Sequence, residues 1–197
     1  MVKENLNLDP SYWNSRYINN TTGWDIGAPS PPLIEIIDAI EDKNASILIP
    51  GAGNAYEATY LLNQGFTNIH VIDFAPKAIE NINQIHGDNK NLHLYCEDFF
   101  LHHGAYDYIL EQTFFCALDP SLRYSYLSKM SELLNTKGIL TGVLFDKEFD
   151  DGPPFSGDES LYKNLFASFF IIESLTPCLN SITPRAGTEL LFRCRKK

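Results

Sequence analysis

From about residue 45 onward, short apolar runs alternate with segments of helical period, the pattern of a parallel α/β sheet. Ala45 to Pro50 reads as a strand, Gly51-Ala52-Gly53-Asn54 as a turn, and Tyr56 to Gln64 as a helix closed by Gly65 at its C′ position. Asn68 to Asp73 repeats the strand signal. Ala75-Pro76 then opens a helix, with proline in its first turn, that runs to about Ile85. This completes a βαβ unit within about 30 residues. Further strands are predicted over Asn91 to Tyr95, Tyr106 to Glu111 and Ile139 to Phe145, with a helix over Asp119 to Leu134 that ends near Lys137-Gly138. A Gly/Pro-rich loop, Asp150 to Gly157, leads into a helix over Glu159 to Ala167. Phe169 to Leu175 and Thr188 to Cys194 then form a predicted antiparallel pair at the end of the sheet.

The segment before the sheet follows a different pattern. Pro10 to Tyr17 predicts a short helix, and Thr21 to Pro32 a loop carrying Trp24, Asp25, Gly27 and several prolines. From Pro32 an amphipathic helix buries Leu33, Ile34, Ile36, Ile37 and Ile40. Both tryptophans of the chain, Trp13 and Trp24, fall in this preamble, and a loop so long and aromatic points to function. With no internal repeat, residues 1–197 read as one domain in which residues 1–32 form an amino-terminal lid segment.

Composition narrows the partners. The 197 residues carry 25 acidic and 15 basic side chains, a net charge of −10, which repels phosphate backbones; the only candidate basic stripe is Arg193 to Lys197. No nucleic-acid partner is expected. Apolar residues at 44% and aromatics at 13% suffice for a core and argue against a disordered acidic chain. No apolar stretch approaches the roughly 18 residues that span a bilayer, and Met1 to Pro10 lacks the apolar centre of a secretory leader. A cytoplasmic protein without a membrane partner follows. Cys96, Cys116, Cys178 and Cys194 form no C-x-x-C pair and read as reduced, buried thiols. His102-His103 are adjacent on a short loop and lack a third ligand at helical spacing, so no metal site is expected.

Candidate chemistry gathers where strands end. Gly51-x-Gly53, after a strand and before a helix, lets backbone approach a ligand at a helix amino terminus. A dinucleotide fingerprint wants a third glycine where Tyr56 stands, which disfavours a pyrophosphate. Asp73 closes the second strand about 20 residues beyond Gly51, where a carboxylate reaches two ribose hydroxyls; alternatively it caps the next helix. An adenosyl ligand without a pyrophosphate fits best. Asp98 and Phe99 follow the third strand and suit an adenine ring, or else a helix cap and a core phenylalanine. Glu111-Gln112-Thr113-Phe114-Phe115 ends the fourth strand at the same edge and turns its polar groups to the reacting centre.

Taken in order, Trp13-x-x-Arg16-Tyr17, Trp24-Asp25-Ile26-Gly27, Pro31-Pro32, Leu48-Ile49-Pro50-Gly51-Ala52-Gly53-Asn54-Ala55-Tyr56-Glu57, Asp73-x-Ala75-Pro76, Thr113-Phe114-Phe115-Cys116-Ala117 and Gly152-Pro153-Pro154-Phe155 resemble the thiopurine S-methyltransferase family over nearly the whole chain. The T-F-F-C-A and G-P-P-F elements look more like its thiol, thiocyanate and halide branch. The resemblance implies a class I methyltransferase fold, a Rossmann-like seven-stranded, mostly parallel sheet with an antiparallel carboxy-terminal hairpin, that binds S-adenosylmethionine and releases S-adenosylhomocysteine. It implies that Trp13, Tyr17 and Trp24 cover the cofactor, Gly51 and Gly53 line its methionine end, Asp73 and Phe74 its ribose and Asp98-Phe99 its adenine, with Glu111 also at the cofactor. An aromatic face attracts a sulfonium by about 0.5 to 2 kcal/mol, which suits the tryptophans; their alternative role is to staple the amino-terminal helix to the core. Gln112 departs from relatives, which tend to carry arginine or tyrosine there.

The expected reaction is an in-line displacement by a small soft nucleophile: a thiol, thiopurine, thiocyanate or halide. Such an acceptor needs alignment and exclusion of water more than a strong base. Gln112, Thr113, Phe114, Phe115 and Phe155 would wall its pocket, and Arg185, near a last loop glycine, would attract an anionic acceptor unless it is only a surface charge. A monomer taking a small-molecule acceptor is expected. The alternatives are an O- or N-methyltransferase using Glu111 as base, a non-catalytic S-adenosylmethionine-binding module and, last, an NAD-linked oxidoreductase.

Overall fold

The computed structural model describes residues 7–197, so the reading of the first six residues lies outside them. Strand β1 (Ile47–Pro50) is buried at every position. Leu48 enters one core layer with Tyr126, Leu127 and Met130, while Ile47 and Ile49 enter the opposite layer with Ile37, Ala58 and Leu61. Covering on both faces is why such a strand reads as an unbroken apolar run. Around it, β2 (Ile69–Ile72), β3 (Leu92–Tyr95), β4 (Tyr106–Gln112) and β5 (Leu134–Phe145) run parallel, and β7 (Glu189–Lys196) lies antiparallel between β5 and β6 (Phe170–Pro177). The sheet order is β3-β2-β1-β4-β5-β7-β6. The chain therefore reverses its direction of winding between β1 and β4, and open α/β sheets bind ligands beyond the strand ends at that point.

Among the described residues six α-helices accompany the sheet: α1 (Pro10–Ile18), α2 (Pro31–Asp38), α3 (Tyr56–Asn63), α4 (Pro76–His86), α5 (Arg123–Leu133) and α6 (Glu159–Phe166). Three begin with proline in the first turn, where its missing N–H costs nothing. Asp9 caps α1 by accepting from Tyr12 N at 2.9 Å. No helix among the described residues is long and apolar enough to cross a membrane.

Three expectations change. The segment predicted as one helix over Asp119 to Leu134 opens with a 3₁₀ turn (Pro120–Leu122), and the following strand starts at Leu134 rather than Ile139. Leu134 pairs with Tyr106 and Ile139 with Tyr108, so residues 135–138 bulge out of the ladder with Lys137 at φ 66°. Lys137-Gly138 thus marks a bulge in a strand and not the end of a helix. Of the cysteines, Cys96 is exposed, whereas the other three are buried and free. The basic tail presents no stripe: Arg193 and Arg195 both bind Glu173, at 3.0 and 2.7 Å, and Lys196 donates to the Leu134 carbonyl.

Candidate active site

The turn after β1 is held in left-handed backbone, with Gly51 at φ 58°, Gly53 at φ 55° and Ala55 at φ 48°. The glycines also admit neighbours. A Cβ on Gly51 would stand 2.3 Å from the Phe114 ring, and one on Gly53 would stand 2.8 Å from the Tyr17 hydroxyl. Asp73, at the end of β2, braces the turn by accepting from Gly53 N at 3.0 Å and caps α4 by accepting from Ala75 N at 2.8 Å. The capping alternative is thus present together with the carboxylate's position against the turn. Burial raises its carboxyl above the usual range, opposed by those two bonds. A carboxylate has about four acceptor sites, so two remain for a ligand.

The preamble folds down onto this point. Trp13 and Trp24 pack edge to face with centroids 5.4 Å apart, Tyr17 and Trp24 at 6.0 Å, and all three meet Ala75 and Ala78. Burial, then the nearby Asp73 charge, pushes the Tyr17 phenol up. Asn14 accepts from Lys77 N at 2.7 Å and so joins α1 to α4. Asp25 gathers three donors: Asn54 Nδ2, Gly27 N at 2.7 Å and the Tyr56 hydroxyl at 3.2 Å.

At the end of β4 two side chains part company. Gln112 faces the turn, where its carbonyl accepts from the Ser30 hydroxyl at 2.6 Å, while Ser30 N donates to Glu57 at 3.0 Å. Burial raises the Glu57 carboxyl, its largest influence. Glu111 points the other way. Its Oε1 accepts from Phe114 N and Phe115 N, both at 2.9 Å, and its Oε2 from the Tyr126 hydroxyl. Burial pushes its carboxyl up to about 7. Thr113, the next residue, sits at φ 60°, a strained conformation for a β-branched residue.

Two spaces result. An open cleft with a volume of about 70 Å³ lies at the ends of β1 and β4, lined by Trp24, Asp25, the turn from Gly51 to Asn54, Glu57, Gln112 and Thr113. Behind Thr113 lies a smaller, more enclosed chamber of about 10 Å³, room for about one water, walled by Glu111, Cys116, Val143, Phe145 and Glu189. Thr113 lines both.

A sequence model of the thiopurine S-methyltransferase family matches residues 8–189. The chain belongs to the thiopurine S-methyltransferase family. Among its curated relatives, the probable thiol methyltransferase 2 of Arabidopsis thaliana is 28% identical over 93% of this chain and 84% of that protein. Thiocyanate methyltransferase 1 of Brassica oleracea is 25% identical over 93% and 84%, and the thiopurine S-methyltransferase of Acinetobacter baylyi 25% identical over 92% and 94%. A Burkholderia thailandensis 1,6-didemethyltoxoflavin-N1-methyltransferase, solved with its acceptor and S-adenosylhomocysteine, superposes with TM-score 0.76 at 22% identity, covering 96% of this chain and 88% of that one. Its likeness is one of fold.

Within this member of the thiopurine S-methyltransferase family, Trp24, Gly51 and Gly53, expected at the cofactor, and Gln112 and Thr113, expected at the acceptor, line one cleft. Other expected positions move. Glu111 lies on the chamber side of Thr113 and not at the cofactor cleft, because three donors hold it beneath the loop. Phe115 is a core residue against Tyr126, Tyr162 and Phe166, not a pocket wall. Phe99 is likewise packed in the core against Phe114 and Tyr126, and Asp98 caps the short turn it opens by accepting from Phe100 N at 2.9 Å. Phe74 is half-buried beside Asp73, and Phe155 half-buried with its N–H on the Cys116 carbonyl at 2.6 Å. Arg185 is neither a free anion receptor nor a surface charge. Its side chain is 11% exposed, donates to the Trp24 carbonyl at 2.7 Å, lies 3.5 Å from Glu189 and stacks over Phe145.

Asp25, Ser30, Asn54 and Glu57 enter the site without having been singled out individually. Asp25, Asn54 and Glu57 stand inside the conspicuous motifs, so their positions were visible but not their roles. For Ser30 no sequence signal exists, since its partner Gln112 is 82 positions away.

Proposed function

We propose that this protein transfers a methyl group from S-adenosylmethionine to a small sulfur nucleophile. The observation that carries the reading is the cleft at the reversal point of the sheet, built from the Gly51–Gly53 turn with Asp73 beneath it and two carboxylates on its walls. The cleft fits the donor's chemistry: backbone can approach closely, an aspartate with spare acceptor sites suits a ribose diol, and Asp25 and Glu57 suit a ligand carrying sulfonium and ammonium charges. When bound, the donor supplies a methyl group on a positively charged sulfur, which leaves as a neutral thioether.

The chain's own residues orient and enclose. Asp73, with Phe74 next to it, takes the ribose hydroxyls, and the carboxylate of Asp98, whose Oδ1 caps the following turn, takes the adenine edge. Trp13, Tyr17 and Trp24 exclude water from the far side, as a lid formed by the amino-terminal segment. The names of the thiol, thiocyanate and thiopurine relatives support sulfur as the accepting atom. Three buried free cysteines and the acidic composition support a monomer working in the cytoplasm without nucleic acid. Titration calorimetry with S-adenosylmethionine and S-adenosylhomocysteine, followed by label transfer from methyl-labelled donor to a panel of thiols, is the test. Binding of both ligands and label in a thioether is the expected result; binding of neither overturns the reading.

A further inference from the structure

We infer that Glu97, His102 and Tyr106 are positioning residues for the donor: a chain of hydrogen bonds among them sets the loop after β3 so that Asp98 meets the adenine edge. The inference rests on the methyltransferase reading and deepens its account of the donor site. Between β3 and β4 the described residues form a single 3₁₀ turn, Phe99–Leu101, in place of a helix, so little regular structure holds the loop that carries Asp98. His102 and His103 follow that turn and part at once. The His103 side chain is 85% exposed, whereas that of His102 is 2% exposed.

The buried imidazole is bonded at both nitrogens. Its Nδ1 lies 2.6 Å from Glu97 Oε1, and its Nε2 lies 2.6 Å from the Tyr106 hydroxyl. A carboxylate only accepts, so Nδ1 carries a hydrogen; in the neutral ring Nε2 then accepts from the tyrosine. Tyr95 packs edge-on to the imidazole at 4.8 Å and Tyr106 lies nearly parallel to it at 5.9 Å, which fixes the plane of the ring. Gly104 makes room for the far end of the chain. A Cβ there would stand 2.4 Å from the Tyr106 hydroxyl, and since Gly104 lies outside the left-handed region, space rather than conformation is what its missing side chain supplies.

The bond from Glu97 to His102 closes a ring of chain around the 3₁₀ turn, with Asp98 inside it. Within that ring Asp98 Oδ1 accepts from Phe100 N and the Asp98 carbonyl from Leu101 N, both at 2.9 Å, while the Phe99 carbonyl accepts from His102 N at 3.2 Å. The turn that aims Asp98 is therefore anchored to the first residue of β4 through the imidazole. The Glu97 carboxylate, on a side chain 44% exposed, is spent on this closure, which leaves its neighbour Asp98 to meet a ligand. A loop ordered before binding spares the ligand the cost of ordering it. Filling space between Tyr95 and Tyr106 would need only an apolar side chain, and would not draw an exposed glutamate onto a buried ring five positions away.

The experiment compares, by calorimetry on the full chain, the affinity of S-adenosylhomocysteine with that of S-inosylhomocysteine, in which a carbonyl oxygen replaces the adenine amino group. A carboxylate aimed at that edge accepts from the amine and repels the carbonyl, so the unaltered protein should prefer the adenosyl ligand by about 30-fold or more. Asp98→Ala should bring the preference to about threefold or less, and so should His102→Ala and Glu97→Ala, the last at an exposed position that does not threaten folding. Glu97→Gln, whose amide oxygen still accepts from Nδ1, should keep it above about tenfold. Thermal unfolding sets a temperature at which every variant is folded; a change in stability alone leaves the ratio of the two ligands unmoved. An unaltered preference in His102→Ala or Glu97→Ala, where Asp98→Ala loses it, would overturn the inference. No preference in the unaltered protein, or one that Asp98→Ala leaves intact, would overturn the adenine contact on which it rests, and failure to bind either ligand would overturn the methyltransferase reading itself.

Discussion

The guanidinium of Arg185 donates to the backbone carbonyl of Trp24 across 161 positions of chain, at 2.7 Å. One charged side chain from the loop before β7 thereby fixes the aromatic segment that walls the cleft, while its other arm approaches Glu189 in the chamber wall. The segment over the cleft and the wall of the inner chamber share a single fastening.

Replacing that fastening has two costs. Arg185→Ala strands a buried Glu189 and frees the Trp24 carbonyl, so it should destabilise the fold by roughly 1 to 3 kcal/mol. It should also weaken S-adenosylmethionine binding by about tenfold. Thermal unfolding and calorimetry separate the two, and a tighter donor complex would contradict the assignment.

Asp73→Ala removes an acceptor from Gly53 N and Ala75 N as well as the proposed ribose contact. Donor affinity should fall by roughly 1.5 to 3 kcal/mol, the worth of charge-assisted bonds. Asp73→Asn, which keeps one oxygen, should fall between; calorimetry with S-adenosylhomocysteine reads both.

Glu111 makes stability depend on pH. Its carboxyl rises from 4.5 to about 7 on folding because burial disfavours the charged form. A folded value above the unfolded one means that its contribution is complete below about pH 4.5 and is lost as pH climbs through about 7. At roughly 1.4 kcal/mol per unit, the loss is about 3 kcal/mol. Glu111→Gln should flatten that decline in denaturant titrations between pH 4.5 and 7.5.

Gly51→Ala and Gly53→Ala should each destabilise by about 1 to 3 kcal/mol, because alanine is strained at these positive φ angles and meets Phe114 or Tyr17. The Gly53 variant should lose less, since a tyrosine hydroxyl at 2.8 Å yields more readily than a ring edge at 2.3 Å. Melting temperatures decide the order.

Gln112→Arg adds a cation at the cleft and ends the acceptance from Ser30. It should lower kcat/KM for thiocyanate and for neutral thiols alike by about tenfold or more, through weaker binding of the positively charged donor. A steady-state comparison of the two acceptors tests this directly.

Much of the fold was legible because its strands are buried on both faces. β1, the turn and α3 carry continuous apolar runs, paired glycines and a closing Gly65, all local signals. The stretch from Asp119 to Gly138 misled for an equally local reason: lysine and glycine side by side resemble a helix stop, whereas here they form a bulge opposite Tyr106 that only tertiary pairing reveals. At the site, Asp73 and Gly53 lie within one βαβ unit and declare themselves by spacing. Arg185, Glu111 and Ser30 do not, because what each one does is set by a partner brought from a distant element, or by the side of a loop it happens to face. Glu111 and Gln112 are neighbours in sequence yet serve opposite spaces, as alternation along a strand requires.

The acidic wall of the cleft gives turnover a direction. Asp25 and Glu57 favour a positively charged occupant, and methyl transfer erases one positive charge from the molecule they hold. Under the proposed reading the donor is drawn in by a field that the product, which keeps its ammonium but has lost the sulfonium charge, feels less. Added salt, which screens charges over about 10 Å at 0.1 M, should then weaken donor binding more than product binding. The same carboxylates thus hold the charged donor more strongly than its spent form, which biases exchange toward a fresh donor after each turnover.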